Sequence, residues 1–189
     1  MTGRVLVFDA SPLIHFARAN ELGALRDLVK DFECVTTKAV LGELRNGAER
    51  HPAIRDAIDL DWIATVSCDD LDELYLFGQY MNRLGNLERN AGEASVLAWA
   101  EAHAAAAYVD DQVACNVGRA RGVQVHRTLR LIIGAFRAGL LTEPRTQDLI
   151  TNLVDADARF PQAARGPARV GSITKPTSPV DHEPPQHAT

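Results

Sequence analysis

The sequence predicts an α/β fold with a parallel central sheet and helices on both sides, and three features predict it. Short apolar runs alternate with longer amphipathic segments over residues 1–160, helix-starting residues follow directly on those runs, and no internal repeat interrupts the alternation.

The elements follow in order. Val5 to Phe8 is a continuous apolar run, as expected of a strand buried on both faces, and it ends at Asp9. Ser11 and Pro12 then start a helix: the hydroxyl accepts an orphan backbone N–H, and proline lacks a donor where none is needed. A helix over Glu21 to Lys30 leads to a strand near Cys34 to Thr36, and Thr36 or Thr37 caps a helix through Val40, Leu44 and Ala48. Trp62 to Val66 reads as a strand, and Asp69 or Asp70 opens a helix through Leu74, Phe77 and Met81. Asn90 caps an alanine-rich helix through Val96, Trp99 and Ala100, before a short strand, Ala107 to Val109, that ends in Asp110-Asp111. A helix over Val113 to Ala120, a strand at Val123 to Val125, and a helix from Thr128 to Ala138 closed by Gly139 complete the alternation.

The 189 residues, 46% hydrophobic and 24% charged, suffice for one well-filled core and are too few for two large domains. The stretch 161–189 holds six of the nine prolines and no apolar period, so it reads as a disordered Pro-rich tail behind a domain of residues 1–160. The formal charge of −5 excludes a wholly basic nucleic-acid binder but leaves room for a local basic patch. Without the tail, residues 1–160 carry 17 basic and 23 acidic side chains, so the tail is not the source of the acidity. The longest mostly apolar stretch, Leu129 to Leu141, is interrupted by Arg130 and Arg137 and is shorter than the roughly 20 residues of a membrane span. With no secretory apolar run before Asp9, the expected location is cytoplasmic. Cys34, Cys68 and Cys115 are odd in number and widely spaced, which suits small core residues rather than a disulfide framework or a zinc site.

Ligands of an open parallel sheet bind beyond the carboxyl ends of its strands. Asp9 and Asp110-Asp111 fall at that edge, and Glu43 and Glu93 lie near the starts of helices whose N-terminal ends face it, so four carboxylates are expected to converge. Crowded acids repel one another unless cations neutralise them, and hard cations such as Mg²⁺ or Mn²⁺ take carboxylate and water oxygens. The chemistry implied is metal-assisted phosphoryl transfer.

Each acid also has a plainer role. Asn90-Ala-Gly-Glu93 has capping-box spacing, Glu43 sits among Lys38, Arg45 and Glu49 as a solvated helix position would, and Asp110 or Asp111 suits a helix cap. Asp9 is the hardest to dismiss, because a charge straight after four apolar strand residues is costly without solvent, a partner or a metal.

These pieces together resemble the PIN domain, the nuclease fold of VapC-type toxins. They are Val5-Leu-Val-Phe-Asp9-Ala-Ser-Pro-Leu-Ile, Val40-Leu-Gly-Glu43-Leu, Gly92-Glu93-Ala-Ser-Val-Leu-Ala-Trp-Ala, and Tyr108-Val-Asp-Asp111-Gln-Val-Ala, followed by Gly122-Val-Gln-Val and Thr128-Leu. The resemblance implies a three-layer α/β/α PIN-like fold, a Mg²⁺- or Mn²⁺-dependent ribonuclease, a homodimer, and inhibition by a cognate VapB-like antitoxin. It assigns Asp9, Glu43, Glu93 and Asp111 as the catalytic, metal-holding acids, with Asp110 as an alternative ligand. Ser11 resembles a polar residue supporting the site, and its role as helix cap stands beside that one. Three departures stand out: Glu93 replaces the Asp of many relatives, Val109 replaces a frequent Thr or Ser, and Arg127 stands before Thr128 where the nearest subgroup has Gly.

Positive charge collects late, with Arg119, Arg121, Arg127, Arg130 and Arg137 and no acid between them. The functional expectation is an RNA-backbone track over Arg119, Arg121, Arg127 and Arg130, holding phosphates bidentately. Solvated helix faces, or a dock for an acidic partner, explain the same arginines. Leu71, Leu74, Leu76, Phe77 and Tyr80 give one helix more apolar coverage than a single core face needs, which fits a dimer or antitoxin interface or a helix sandwiched between neighbours. Two other functions compete: a PIN-like module without activity, and a haloacid-dehalogenase-like phosphatase, whose Asp-x-Asp is absent because Asp9-Ala-Ser11 lacks the second acid. No Gly-x-Gly-x-x-Gly, Gly-Lys-Ser/Thr loop or nucleophile elbow occurs.

Overall fold

The computed structural model describes residues 5–85 and 89–158; the tail expected over 161–189 and the domain end at 160 lie outside the described residues. Strand β1 (Val5–Phe8) leads to helices α1 (Ala10–Arg18) and α2 (Leu22–Val29), then β2 (Glu33–Thr37) and α3 (Lys38–Arg50). A 3₁₀ helix, Pro52–Ala57, precedes β3 (Ala64–Val66), α4 (Leu71–Leu84) and α5 (Ala91–Ala102). The chain continues through β4 (Ala106–Tyr108), α6 (Gln112–Ala120), β5 (Gln124–His126), α7 (Thr128–Arg137) and α8 (Glu143–Asp155).

The five strands form one parallel sheet in the order β3-β2-β1-β4-β5. As expected of an all-apolar run, β1 is the central strand, and Val7 and Phe8 are wholly buried. The chain steps from β1 to β2 in one direction and from β4 to β5 in the other, so right-handed crossovers place their helices on opposite faces. One layer is α4, α5 and α6 in mutual contact; the other joins α1, α2, α7, α8 and the 3₁₀ helix, while α3 touches both α1 and α5. The fold is therefore a three-layer α/β/α sandwich.

Helix α5 buries eight of its twelve residues, five of them Gly, Ala or Ser, so neighbours approach it closely. The approach of α6 to β5 is closer still. A Cβ on Gly118 would lie 2.6 Å from Val125 and 2.7 Å from Leu97, so only glycine fits there.

Two elements go beyond the sequence reading. One is the 3₁₀ helix at Pro52–Ala57; the other is α8, started by the Thr142 hydroxyl, which accepts from the Arg145 N–H at 3.4 Å. Thr146, Leu149, Ile150 and Leu153 form the buried stripe of α8 at helical spacing. Arg145 ties it to α2 by a two-pronged ion pair with Glu21 at 3.0 and 2.6 Å. The strand expected from Trp62 begins only at Ala64, where pairing with Val35 starts. No helix among the described residues is long and apolar enough to cross a membrane.

Candidate active site

The strand order reverses between β1 and β4, which pair side by side, so whatever follows each strand meets at one edge. Asp9 follows β1, its N–H still held by the Tyr108 carbonyl at 3.0 Å. Its carboxylate caps α1: Oδ2 accepts from the Ser11 N–H at 3.4 Å. The cap is thus Asp9 itself, and Ser11 contributes a backbone donor rather than the capping hydroxyl expected of it. Asp9 is 1% exposed, and its Oδ1 has no hydrogen-bond partner. Burial, then the charges of Glu93 and Glu43, raise its pKa well above the ordinary value; N–H donation from Ala10 and Ser11 only partly opposes this.

Glu43, in the second turn of α3, reaches across to α5, where its Oε1 accepts from the Gly92 N–H at 2.9 Å. Burial and then the charge of Glu93 push its pKa up to about 7, against that hydrogen bond. Glu93 lies in the first turn of α5 with Oε2 buried and unpartnered. Burial raises its pKa and the charge of Asp111 adds to the rise. Asp111 is exposed and caps α6, accepting from the Ala114 N–H at 2.8 Å. Glu93 and Asp111 line a small cavity of about 160 Å³ with Leu84, Asn90, Val113 and Ala114.

The four acids thus form a row in which each feels the next. Asp9 and Asp111 cap helices, and Glu43 and Glu93 sit near helix starts, so helix dipoles favour negative charge here. The row is looser than expected: among the described residues no three His, Cys, Asp or Glu side chains are arranged to hold a metal ion. Among the described residues of the row, only Glu43 has a hydrogen-bond donor from another element. The two orphaned oxygens, Asp9 Oδ1 and Glu93 Oε2, nevertheless fit a hard cation, which is what a buried oxygen without a donor lacks.

Asp110 is engaged elsewhere. It accepts from the Thr128 N–H and hydroxyl at 2.9 and 2.7 Å, and His15 Nδ1 lies 3.2 Å from its Oδ2. Burial would raise its pKa, but the contacts with His15 and Thr128 outweigh it and the pKa falls. Asp110 is therefore a clamp between β4, α1 and α7.

Behind the acids runs a chain of hydroxyls of which the sequence suggests only the Thr37 cap. The Val40 N–H donates to Thr37 Oγ1 at 3.3 Å, and Thr37 and Ser95 are paired at 2.7 Å. Because Ser95 gives its only hydrogen to the Gly92 carbonyl at 2.7 Å, Thr37 is the donor to Ser95. The chain ties the starts of α3 and α5 together, and the Gly92 N–H closes the circuit onto Glu43. A Cβ on Gly92 would lie 2.3 Å from Glu43 Oε1, so glycine makes the cradle. The only sequence signal for it is the Gly beside Glu93 and the Ser two residues on.

Two further expectations change. Asn90 makes no side-chain cap with Glu93; its amide donates to the Leu84 and Gly85 carbonyls at 2.9 and 2.7 Å, closing α4. The capping glutamate is Glu73, whose Oε2 accepts from the Asp69 and Asp70 N–H groups at 2.8 and 3.1 Å. The arginines do not form one track. Arg119 donates to the Val125 carbonyl, and Arg121 is forked onto Glu101 at 2.7 and 2.6 Å, at the far end of α6 from Asp111. A nine-residue helix puts about 13 Å between its ends. Arg127 is on the acidic edge, bonded to Gln112 beside Asp111 at 2.6 Å, and Arg130 follows one turn into α7.

A family model described as a PIN domain matches residues 5–168. No curated protein matches the chain. With most of its length matched, and with the parallel three-layer sheet that the family's nuclease fold requires, this chain belongs to the PIN-domain family.

Proposed function

We propose that the protein is a Mg²⁺- or Mn²⁺-dependent endoribonuclease that hydrolyses RNA phosphodiester bonds and acts as the VapC-type toxin of a toxin–antitoxin pair. The observation that carries this is the row Asp9, Glu43, Glu93 and Asp111, with two buried oxygens that no donor satisfies. These four side chains would hold the cation; Asp110, with both oxygens occupied, is the weaker candidate. A divalent cation held there would supply a lowered pKa for water and an offset to charge on the phosphate.

The protein's own groups orient the reaction. Gly92 and the Thr37–Ser95 chain fix Glu43 against α5, and Ser11 fixes Asp9. The starts of α1, α5 and α6 put backbone dipoles at the edge where phosphate charge arrives. Arg127, held beside Asp111, is the nearest arginine for the RNA backbone.

Partners enter through α4. Leu71, Leu74 and Tyr75 are 85, 49 and 69% exposed and form a stripe at helical spacing, with Val113 of α6 also exposed. Such a patch supports the homodimer and the VapB-like antitoxin of this reading.

RNA cleavage with Mg²⁺ or Mn²⁺ tests the proposal, comparing wild type with Asp9→Asn and Glu93→Gln. Activity that survives EDTA and both substitutions overturns it. The loose spacing of the acids favours a second reading, a PIN-like binding module without activity. Calorimetry separates the two, since the module alone binds no divalent cation.

A further inference from the structure

On the opposite side of the sheet from α5, a half-open cleft of about 320 Å³ runs between α2 and α7, within the size range of small-ligand sites. Its walls are apolar: Leu28 and Phe32 on one side, Leu131 and Leu140 on the other. Phe32 and Leu140 stay 39 and 55% exposed at the rim. The floor is aromatic, with the Tyr108 and His126 rings 5.6 Å apart and Tyr108 stacked on Phe8 at 5.2 Å. Among the described residues that line the cleft, the charged side chains are the cationic Arg130 and Arg137, in a domain that is acidic as a whole.

One end of the cleft, at Tyr108 and His126, lies at the carboxyl ends of β4 and β5, the sheet edge that carries the acids. Tyr108 comes three residues before Asp111, Gln112 holds Arg127, and the Arg130 N–H donates to the Arg127 carbonyl at 2.9 Å. A strand whose phosphate lies at Asp111 therefore meets Arg127, then Arg130, then an apolar slot. A flat apolar body joined to an anion is the chemistry this arrangement fits, and an unpaired nucleotide has it; a paired base has no free face to insert.

We propose that the α2–α7 cleft binds one unpaired base of the RNA, with Arg130 on the adjoining phosphate. The inference rests on the ribonuclease reading and names how that site engages its substrate.

Gly134 supplies the test. It lines the cleft from α7, is exposed, and has no atom within 4 Å of where its Cβ would lie. Gly134→Leu therefore blocks the slot without a clash, in a helix that leucine favours over glycine, and a circular-dichroism melt no lower than the parent's is expected. Both chains carry Asp9→Asn, and binding of a labelled single-stranded RNA is read by anisotropy in EDTA. Gly134→Leu is expected to weaken binding about tenfold, while an abasic oligomer of equal length binds both chains alike. Arg130→Ala is expected to weaken both oligomers and to reduce the salt dependence of binding. Equal affinity of the two chains for the base-bearing RNA overturns the proposal, and so does an equal loss for both oligomers. Metal-dependent cleavage by the wild-type chain is measured in parallel. Cleavage with unchanged affinity sinks the cleft alone; a lost affinity without cleavage sinks the nuclease and leaves the base site standing.

Discussion

A lone acid, Glu101, and a row of four acids occupy opposite ends of this fold and meet opposite fates. At the far end of α6, Glu101 accepts two bonds from Arg121 and one from the Tyr80 hydroxyl, and Arg121 also reaches Gln79 and lies 5.1 Å from the Tyr80 ring centre. Arg121 holds the Glu101 pKa below its ordinary value. At the near end, Glu43 and Glu93 are the same residue type with pKa values raised by burial, helped by the charge of Glu93 on Glu43 and of Asp111 on Glu93. Among the described residues the buried carboxylate oxygens without a partner, Asp9 Oδ1 and Glu93 Oε2, both belong to this row. Crowded acids with few donors at a single edge are costly for stability, and this is the feature on which the proposed cation site rests.

The contrast is most strongly tested by removing charge from the row. Asp9→Asn and Glu93→Gln are each expected to lower metal-dependent RNA cleavage on the order of 10³-fold, while raising the melting temperature of the metal-free protein because repulsion falls. A melt that drops instead would mean the row is already compensated. Gly92→Ala comes next. Its Cβ displaces the Glu43 carboxylate, so cleavage should fall on the order of tenfold and the metal concentration at half-activity should rise, with the fold retained.

At the satisfied end the outcome reverses. Arg121→Ala should cost about 2 kcal/mol of stability by stranding Glu101 and removing the cation–π contact, with cleavage unchanged. Denaturant melts and the same cleavage assay separate the two effects. The smallest effect is on pH. Glu43 is raised from 4.5 to about 7, so its contribution to metal-free stability is fully present below its unfolded pKa. That contribution is lost as pH rises through the folded value. Metal-free protein should therefore lose about 1 kcal/mol between pH 5 and 8, less than the full shift implies because Glu43 is only half-buried. Saturating Mn²⁺ should flatten this slope.

Much of the fold was legible because the relevant signals are local. Val5 to Phe8 is apolar at every position, and only a central strand buries both faces. The helix starts at Thr37 and Asp70 are local as well, since a cap and its first turn lie within three residues. Helix α8 carried signals of the same kind, Thr142 before Pro144 and a stripe through Leu153, and it escaped a reading that ended with Gly139. Asn90 shows the limit: its spacing to Glu93 suits a capping box, yet the end of α4 offered two carbonyls that competed successfully.

The sequence by itself determined the alternation of strands and helices and the placing of Asp9, Glu43, Glu93 and Asp110-Asp111 at strand ends and helix starts. Periodicity and capping act over a few residues, so one chain suffices to read them. Tertiary structure alone decided that Asp110 turns to Thr128 and His15 while Asp111 acts on Glu93, and that Arg121 faces Glu101 rather than the acidic edge. It also decided that Gly92 cradles Glu43 across 49 residues of chain. Those choices depend on which groups meet after the sheet assembles, and a charge's role is set by what lies within a few ångströms of it.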